Sequence, residues 1–381
     1  GCMAERYGKE LAAALPEADA ILGFDDYQDI SARLQSIVSG NAHTPHTPRD
    51  RRALLPIAPV DRAQARDESF QSAVGAGGSL FRKRLGSAPW APLKIASGCD
   101  RRCSFCAIPY FRGSFVSRRP TEILQEALWL GQNGVSELFL VSENTTSYGK
   151  DLGDLKLMEK ILHEFTEIPG IERVCLSYLQ PAEMRPTLLQ AMVETEKVAP
   201  YFDLSFQHSS PSVLRRMRRF GDSEKFLHLI TQIRALSPEA GIRSNFIVGF
   251  PGETQGDFDE LANFITEAKL DAVGIFGYSD EDNTEALDLA DKVADEIIRE
   301  RVESLSSLAD EMVSIRAAGR IGEQVRVLIE DEELQEGRAA HQGPEVDGTT
   351  SFIGTDFTVG EYIDAVIVDS MGADLVAEVS R

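Results

Sequence analysis

The chain has 381 residues, more than a single hydrophobic core usually serves, so its length predicts two or three domains. Hydrophobic residues make up 43% of the chain and charged residues 26%, a balance that excludes a largely disordered protein. The formal net charge of −22 disfavours polyanionic partners, and no apolar run reaches the roughly 20 residues that a membrane span needs.

The amino-terminal segment begins GCMAERYGKE and lacks the charged-then-apolar order of a signal peptide, so we expect a cytoplasmic protein. The first residues, Gly1 and Cys2, are not preceded by an initiator methionine, which we interpret as an N-terminally incomplete chain. Helical spacing over the next residues predicts the remnant of an α/β domain at 1–45. Residues 46–84 are rich in His, Pro, Arg, Ala and Gly without sustained periodicity, which predicts a linker.

Six short apolar runs alternate with amphipathic stretches after this linker. The runs are LKIAS, ELFLVS, RVCLSY, FDLSF, IRSNFIVGF and AVGIFGYS. The helices between them have readable starts at Thr121, Pro181, Asp222 and Thr254. Six β–α repeats predict a partial, TIM-like (βα)6 barrel over residues 85–317.

The carboxyl-terminal part begins with a long charged helix, predicted to follow Asp288 and to end near Ala318. Alternating patterns with glycine turns follow in QVRVLIE, EYIDAVIVD and DLVAEV, and they predict a small five-stranded, OB-like β-barrel over residues 318–381. Residues 319–381 contain four basic and fourteen acidic residues, a net charge of −10. Such a domain repels nucleic-acid phosphates.

Three of the five cysteines, Cys99, Cys103 and Cys106, fall within eight positions just after the first predicted barrel strand. A loop there faces the end of a parallel barrel where active sites lie. Three thiolates can hold three irons of a four-iron cluster and leave the fourth iron open. Structural zinc is the alternative, but it needs four ligands, and His208 is far along the chain. Cys175, within VCLSY, is predicted to be a buried core residue.

The C-x3-C-x2-C spacing, with aromatic Phe105 before the last cysteine, resembles the signature of the radical S-adenosylmethionine (SAM) superfamily. The resemblance implies a [4Fe–4S] cluster whose open iron binds SAM through its amino and carboxylate groups. It also implies cleavage of SAM to methionine and a 5′-deoxyadenosyl radical. This chemistry suits an unactivated C–H bond, which is too weakly acidic for a side-chain base, and the cofactor carries that step.

Two further segments resemble the SAM cradle of this superfamily. Glu143 and Asn144 follow the second strand, and Gly249, Gly252 and Glu253 follow the fifth. Glycines there let the backbone approach the cofactor. The alternative is that both glycines only form a strand-to-helix turn. No catalytic side chain is predicted, and the run Arg215–Arg219 has an open role, because consecutive arginines on a helix point to different faces.

The whole chain resembles the methylthiotransferases, which combine an N-terminal cluster domain, a radical SAM core and a terminal TRAM β-domain. Gly1–Ala4 followed by Arg6 and Tyr7 resembles the third cysteine motif of the N-terminal domain, which implies that Cys2 is a ligand of a second, auxiliary [4Fe–4S] cluster. That domain normally contributes three cysteines. The other two are absent from this sequence, so we expect the chain as it stands to be impaired in sulfur insertion.

Four segments resemble the methylthiotransferases that modify an aspartate of small-subunit ribosomal protein twelve (RimO-type): Ile95–Gly98, Ser142–Leu152, Phe276–Asp282 and Gly337–Gly348. This resemblance implies two SAM molecules and a methylthio group added to the β-carbon of that aspartate. The acidic terminal domain favours the basic ribosomal protein, so no tRNA and no membrane partner is expected. The alternatives are a tRNA adenosine methylthiotransferase (MiaB-type) and a non-catalytic fragment that binds the ribosomal protein. The sequence identifies neither the electron donor nor the sulfur donor.

Overall fold

The computed structural model describes residues 2–48, 50–51, 84–354 and 356–380, so most of the predicted linker lies outside the described residues. The N-terminal segment contains helix α1 (Cys2–Ala14), a 3-10 helix (Phe24–Asp29) and helix α2 (Ile30–Val38). The described part of residues 1–45 contains no strand. Helix α1 kinks at Gly8, where a Cβ atom would lie 2.2 Å from the His46 carbonyl oxygen. Glycine is required there by this close approach.

Six parallel strands form the centre of the molecule, as the apolar runs predicted. They are β1 (Trp90–Lys94), β4 (Glu137–Val141), β5 (Arg173–Leu176), β6 (Tyr201–Asp203), β7 (Gly241–Val248) and β8 (Ala272–Gly277). The order β1-β4-β5 continues into β6-β7-β8 through single parallel bridges between Val174 and Val198 and between Leu179 and Leu204. The result is a partial barrel with β1 and β8 as its edges. A short antiparallel pair, β2 (Ala96–Ser97) and β3 (Val116–Ser117), flanks the cysteine loop.

Helices cover the outer face of this sheet. They are α4 (Pro120–Gln132), α5 (Leu157–Thr166), α6 (Pro186–Glu194), α8 (Ser223–Leu236), α9 (Gln255–Ala268) and α10 (Asp295–Ala318). Two short helices, α3 (Ile108–Arg112) and α7 (Pro211–Arg216), lie beside the cysteine loop. The side chains of Asp222 and Thr254 accept hydrogen bonds from backbone N–H groups in the first turns of α8 and α9. Both predicted starts are confirmed, because an N-cap is a local property of the sequence.

One predicted helix start is wrong. Pro181 opens only a 3-10 turn (Pro181–Glu183), and α6 begins at Pro186. Arg185 precedes a proline and is extended, so a helix cannot run through it, whereas a proline is well suited to the first helical position. The long helix α10 follows Asp288 and ends at Ala318, as predicted, and its first residue is Asp295, after a separate 3-10 turn at Glu285–Asp288.

The two faces of the parallel sheet differ in chemistry. Leu93, Leu138 and Leu140 point outward and are fully buried with the helices in the main hydrophobic core. Alternate residues point into the barrel, and this inner side, called the lumen here, carries charged side chains such as Glu137 and Arg243. The core therefore lies between sheet and helices, and the lumen is left for polar groups.

The terminal domain is a closed five-stranded barrel. Its strands are β9 (Gln324–Asp331), β10 (Glu336–Ala339), β11 (Thr350–Phe352), β12 (Tyr362–Met371) and β13 (Asp374–Val379), in the order β10-β11-β13-β12-β9. This confirms the predicted small β-barrel. It packs against the amino-terminal ends of the parallel strands, where Tyr201 Oη donates to Asp347 Oδ2 at 2.8 Å and Arg173 Nη2 donates to the Arg326 carbonyl at 2.6 Å. The cysteine loop lies at the opposite, carboxyl-terminal ends.

Candidate metal and cofactor site

The cysteine loop begins directly after β1 and folds onto the β2–β3 pair. Gly98 has a φ of +79°, and a Cβ atom there would lie 2.2 Å from the Ser114 carbonyl oxygen. Next to it, Cys99 N donates to the Gly113 carbonyl oxygen at 3.1 Å, and Cys106 N donates to the Cys103 carbonyl oxygen at 3.1 Å. Because only glycine tolerates this backbone conformation without strain, Gly98 lets β1 turn into the loop.

The three thiols of this loop are free and partly buried. Burial raises the pKa of Cys99 to about 12 and that of Cys106 to about 11. Thiolates at these positions therefore need a cation to compensate their charge, and an iron–sulfur cluster supplies one. Within the described residues, no three His, Cys, Asp or Glu side chains converge as they would around a single ion. The three-cysteine donor set fits a cluster, in which each thiolate binds a different iron.

Arg219 is a buried cation beside this loop. Its Nη1 atom lies 3.7 Å from Cys103 Sγ, and its Nη2 atom donates to Gln180 Oε1 at 2.8 Å and to the Ser205 carbonyl. The sequence left the role of the arginine run open, and the structure gives this one member a contact with a cysteine sulfur. The run itself carries no signal that singles out Arg219, because the contact depends on the fold.

Glu183 anchors the cysteine loop to the segment after β4. Arg101, between the first two cysteines, forms an ion pair with Glu183 at 2.7 Å. The Glu183 carboxylate also accepts hydrogen bonds from Ser147 Oγ at 2.7 Å and Asn144 Nδ2 at 3.1 Å. Burial alone would raise the pKa of Glu183, but the Ser147 hydrogen bond and the Arg101 charge outweigh it and lower the pKa. Sequence reasoning missed Glu183, whose partners are distant in the chain.

Glu143 connects the predicted cradle to the N-terminal helix. Its Oε1 atom lies 2.9 Å from Arg112 Nη1, while its Oε2 atom is buried without a hydrogen-bond partner. Arg112 also donates to Cys2 Sγ at 2.7 Å. The structure therefore brings Cys2 beside the cradle, although 97 positions separate it from Cys99 in the sequence. An unpaired buried carboxylate oxygen is costly unless a ligand donates to it.

The turn after β7 contains the remaining predicted cradle residues. Gly249 and Gly252 both have positive φ, and a Cβ atom at Gly249 would lie 2.4 Å from Ile298 Cγ1. Glu253 Oε2 accepts from Gly249 N at 2.8 Å, and its Oε1 atom accepts from Arg301 Nη1 at 2.7 Å. The Glu253 carboxylate thus binds the protein itself and fixes the turn.

Phe105 packs edge-on against Phe250 in the same turn, with ring centroids 6.4 Å apart. This contact joins the cysteine loop to the turn after β7. Cys175 is fully buried beside Glu137, as predicted for a core residue, and lies at the other end of the barrel.

Comparison with known proteins identifies this arrangement. Residues 93–265 match the radical SAM superfamily, and residues 321–379 match the TRAM domain. The fold and the cysteine loop therefore define a radical SAM protein with a terminal TRAM domain, as the sequence predicted.

Curated relatives identify the family within the radical SAM superfamily to which the chain belongs. "Ribosomal protein uS12 methylthiotransferase RimO" from Nocardioides sp. is 60% identical over 383 residues, covering 99% of this chain and 79% of the relative. The proteins of the same name from Streptomyces coelicolor and Kineococcus radiotolerans are 56% and 58% identical, each covering 99% of this chain and 80% and 81% of the relative. The chain belongs to the ribosomal protein uS12 methylthiotransferase RimO family.

Membership confirms several predictions made from the sequence. The chain is a SAM-dependent iron–sulfur enzyme of the methylthiotransferase type, and its cofactors are SAM and [4Fe–4S] clusters. The assignments of individual ligands are not tested by these comparisons and stay predictions. No helix in the described part of the chain is both long and apolar enough to cross a membrane.

Proposed function

We propose that the chain adds a methylthio group to the β-carbon of an aspartate of ribosomal protein uS12, with Cys99, Cys103 and Cys106 as ligands of the SAM-binding cluster. The observation that carries this proposal is the position of the three cysteines, together on one loop at the carboxyl-terminal end of β1. Active sites of parallel barrels lie at that end. The name of the relatives, uS12 methylthiotransferase, supports the substrate.

The remaining site residues shape the cofactor pocket. Cys99, Cys103 and Cys106 would hold the cluster, and bound SAM would supply the radical chemistry needed to break an unactivated C–H bond of the substrate. Glu143 offers bound SAM a buried, unpaired carboxylate oxygen, and Asn144 is held toward the pocket by Glu183. Gly249 and Gly252 form the tight turn after β7, since both have positive φ and a Cβ atom would meet Ile298 or Arg216.

Glu253 and Phe105 act through their neighbours. Glu253 fixes the glycine turn through Gly249 and Arg301, and Phe105 holds the cysteine loop against that turn. We therefore assign both as positioning residues of the pocket.

Cys2 is the proposed ligand of the auxiliary cluster. Its support is the 2.7 Å contact with Arg112, which in turn binds Glu143 at 2.9 Å. A sulfur donor held by Cys2 would therefore face the same opening of the barrel as the radical site. The two reactions of the enzyme require that proximity.

A protein substrate is favoured over tRNA by the surface of the terminal barrel. Arg320 and Arg338 are buried in ion pairs with acidic residues, so two of the four cations of residues 319–381 are withdrawn from the surface. Ten of the fourteen acids are exposed: Asp331, Glu332, Glu333, Glu345, Asp356, Glu361, Asp364, Asp369, Asp374 and Glu378. Such a surface repels phosphates.

The finer assignments of domain limits and location are part of the same proposal. We keep the division into 1–45, 46–84, 85–317 and 318–381, and we place the enzyme in the cytoplasm, where its ribosomal substrate is made.

The function is tested by anaerobic reconstitution with iron and sulfide, reduction with dithionite and addition of SAM. We expect about four irons on the three-cysteine loop and formation of 5′-deoxyadenosine. In a version of the chain that carries all three auxiliary-cluster cysteines, we also expect a mass change of uS12 but not of tRNA. A triple Cys→Ser variant of the loop is the matched control and should lose both iron and deoxyadenosine. Modification of tRNA instead would refute the substrate assignment, and iron binding unaffected by the triple variant would refute the ligand assignment.

A further inference from the structure

Lys94 occupies an unusual position at the mouth of the lumen. It is the last residue of β1 and pairs with Val141 in β4. Its neighbours Leu93 and Ile95 are buried in the outer core, so alternation directs Lys94 to the inner side. Its side chain is 43% exposed, and its Nζ atom contacts Ser97 Oγ at 3.2 Å.

The charge of Lys94 is weakly compensated. Its ion pair with Glu143 is long, at 3.9 Å. By contrast, Arg101 and Arg112 hold carboxylates at 2.7 and 2.9 Å, and Arg243, deeper in the lumen, holds Asp347 at 3.3 Å. Burial, which outweighs the attraction of Glu143, lowers the pKa of Lys94. An ammonium group has three donors, and Lys94 has one short hydrogen bond among the described residues.

Other inward-facing residues of the parallel strands are accessible or unpaired. Phe276, on the inner side of the edge strand β8, is 55% exposed, and Pro92 on β1 is exposed as well. Asn245 Oδ1, on β7, is buried without a hydrogen-bond partner. An accessible apolar wall with an unpaired polar atom and a weakly compensated cation is typical of a binding site for a polar side chain.

We propose that Lys94 binds the carboxylate of the target aspartate and so selects an acidic side chain in the pocket. This proposal rests on the proposed function and adds a substrate-recognition residue to it. The β-carbon of an aspartate is bonded directly to its carboxylate carbon. Holding the carboxylate at Lys94 therefore holds the reacting C–H bond at the mouth of the barrel, five residues along the chain from Cys99.

The test uses the reconstituted chain with SAM and two fluorescent peptides of the uS12 target segment, one with the native aspartate and one with asparagine in its place. We expect the wild type to prefer the aspartate peptide by about tenfold or more, the usual worth of a hydrogen bond to a charged group. Lys94→Met should lose this preference without changing affinity for the asparagine peptide, and Lys94→Arg should keep part of it. Lys160→Met removes an exposed lysine on α5 and is the control.

Three outcomes overturn the proposal. If the wild type binds both peptides equally, no cation recognises the carboxylate. This result does not depend on the folding of any variant. A Lys94→Met chain that still prefers aspartate places recognition elsewhere. If Lys94→Met abolishes SAM binding, and abolishes the formation of 5′-deoxyadenosine in the absence of peptide, Lys94 binds the cofactor and not the substrate. A wild type that forms deoxyadenosine but binds neither peptide refutes the proposed function itself.

Discussion

Replacing Arg338 by methionine should detach the terminal barrel from the parallel barrel. The guanidinium is 1% exposed, and it donates to Glu137 Oε1 at 2.9 Å, Glu330 Oε1 at 2.7 Å and the Gln342 carbonyl at 2.9 Å. Methionine keeps most of the volume but leaves the fully buried Glu137 with one cationic partner among the described residues, Arg173 at 3.2 Å. Breaking a buried pair in this way costs about 3–5 kcal/mol.

Trp90 makes this loss of stability measurable by fluorescence, because its ring lies 5.9 Å from the Arg338 guanidinium. Urea unfolding of the cluster-free chain, followed by tryptophan fluorescence, should show the Arg338→Met transition at a lower midpoint. The double variant Arg338→Met with Glu137→Gln also removes the charge left on Glu137 and should recover part of the loss, reduced by the ion pair that Arg173 gives up. If Arg338→Met lowers the free energy of unfolding by less than about 1 kcal/mol, which is the contribution of an exposed ion pair, the reasoning is refuted.

Three further predictions concern the cysteine loop and the domain contact. Gly98→Ala forces a Cβ atom against the Ser114 carbonyl in a left-handed conformation, so reconstituted iron content should fall while the rest of the fold is retained by circular dichroism. Glu183→Gln removes the charge that Arg101 binds, so the loop should exchange amide hydrogen faster and take up iron more slowly. His341 has a pKa held well below 6.5 by burial and by Arg320, so its native form is neutral. The contribution of His341 to stability is therefore fully present above its unfolded-state pKa of 6.5 and is lost progressively as the pH decreases below it. His341→Gln should flatten that slope in urea titrations.

Each of these has a result that contradicts it. Normal iron content in Gly98→Ala would mean that the loop does not need the tight turn. If amide hydrogen exchange in the loop is the same in Glu183→Gln as in the control Glu164→Gln, on the exposed side of α5, Glu183 does not anchor the loop. An equal acid sensitivity of wild type and His341→Gln would assign the slope to other groups.

Local signals explain what the sequence could predict. The cysteine loop is recognisable because its three cysteines lie within eight positions. Asp222 and Thr254 are correct helix starts because a cap depends on its own first turn. The predicted helix start at Pro181 was wrong because proline is also only a local signal. Pro186, five residues later, is an equally good first helical residue, and the helix begins there.

Long-range contacts explain what the sequence could not predict. The Arg112–Cys2 contact joins residues 110 positions apart, and the Arg338–Glu137 contact joins residues 201 apart. No periodicity or spacing links such partners, because the fold alone brings them together. The acidic terminal barrel was predicted correctly as a domain, yet its place at the amino-terminal ends of the strands follows only from these contacts.

Strand β4 connects the two ends and shows how their charges act. Glu137, at its start, binds Arg338 of the terminal barrel, and Glu143, just past its end, binds Arg112 beside the cysteines. Six residues of extended chain separate them by about 20 Å. Salt at about 0.1 M screens charges beyond about 10 Å, so the acidic surface of the terminal barrel does not weaken the binding of a carboxylate at Lys94. On the proposed function, repulsion of phosphates belongs to the surface of the terminal barrel and recognition of the aspartate to Lys94 at the carboxyl-terminal end of β1, so the two are separate properties.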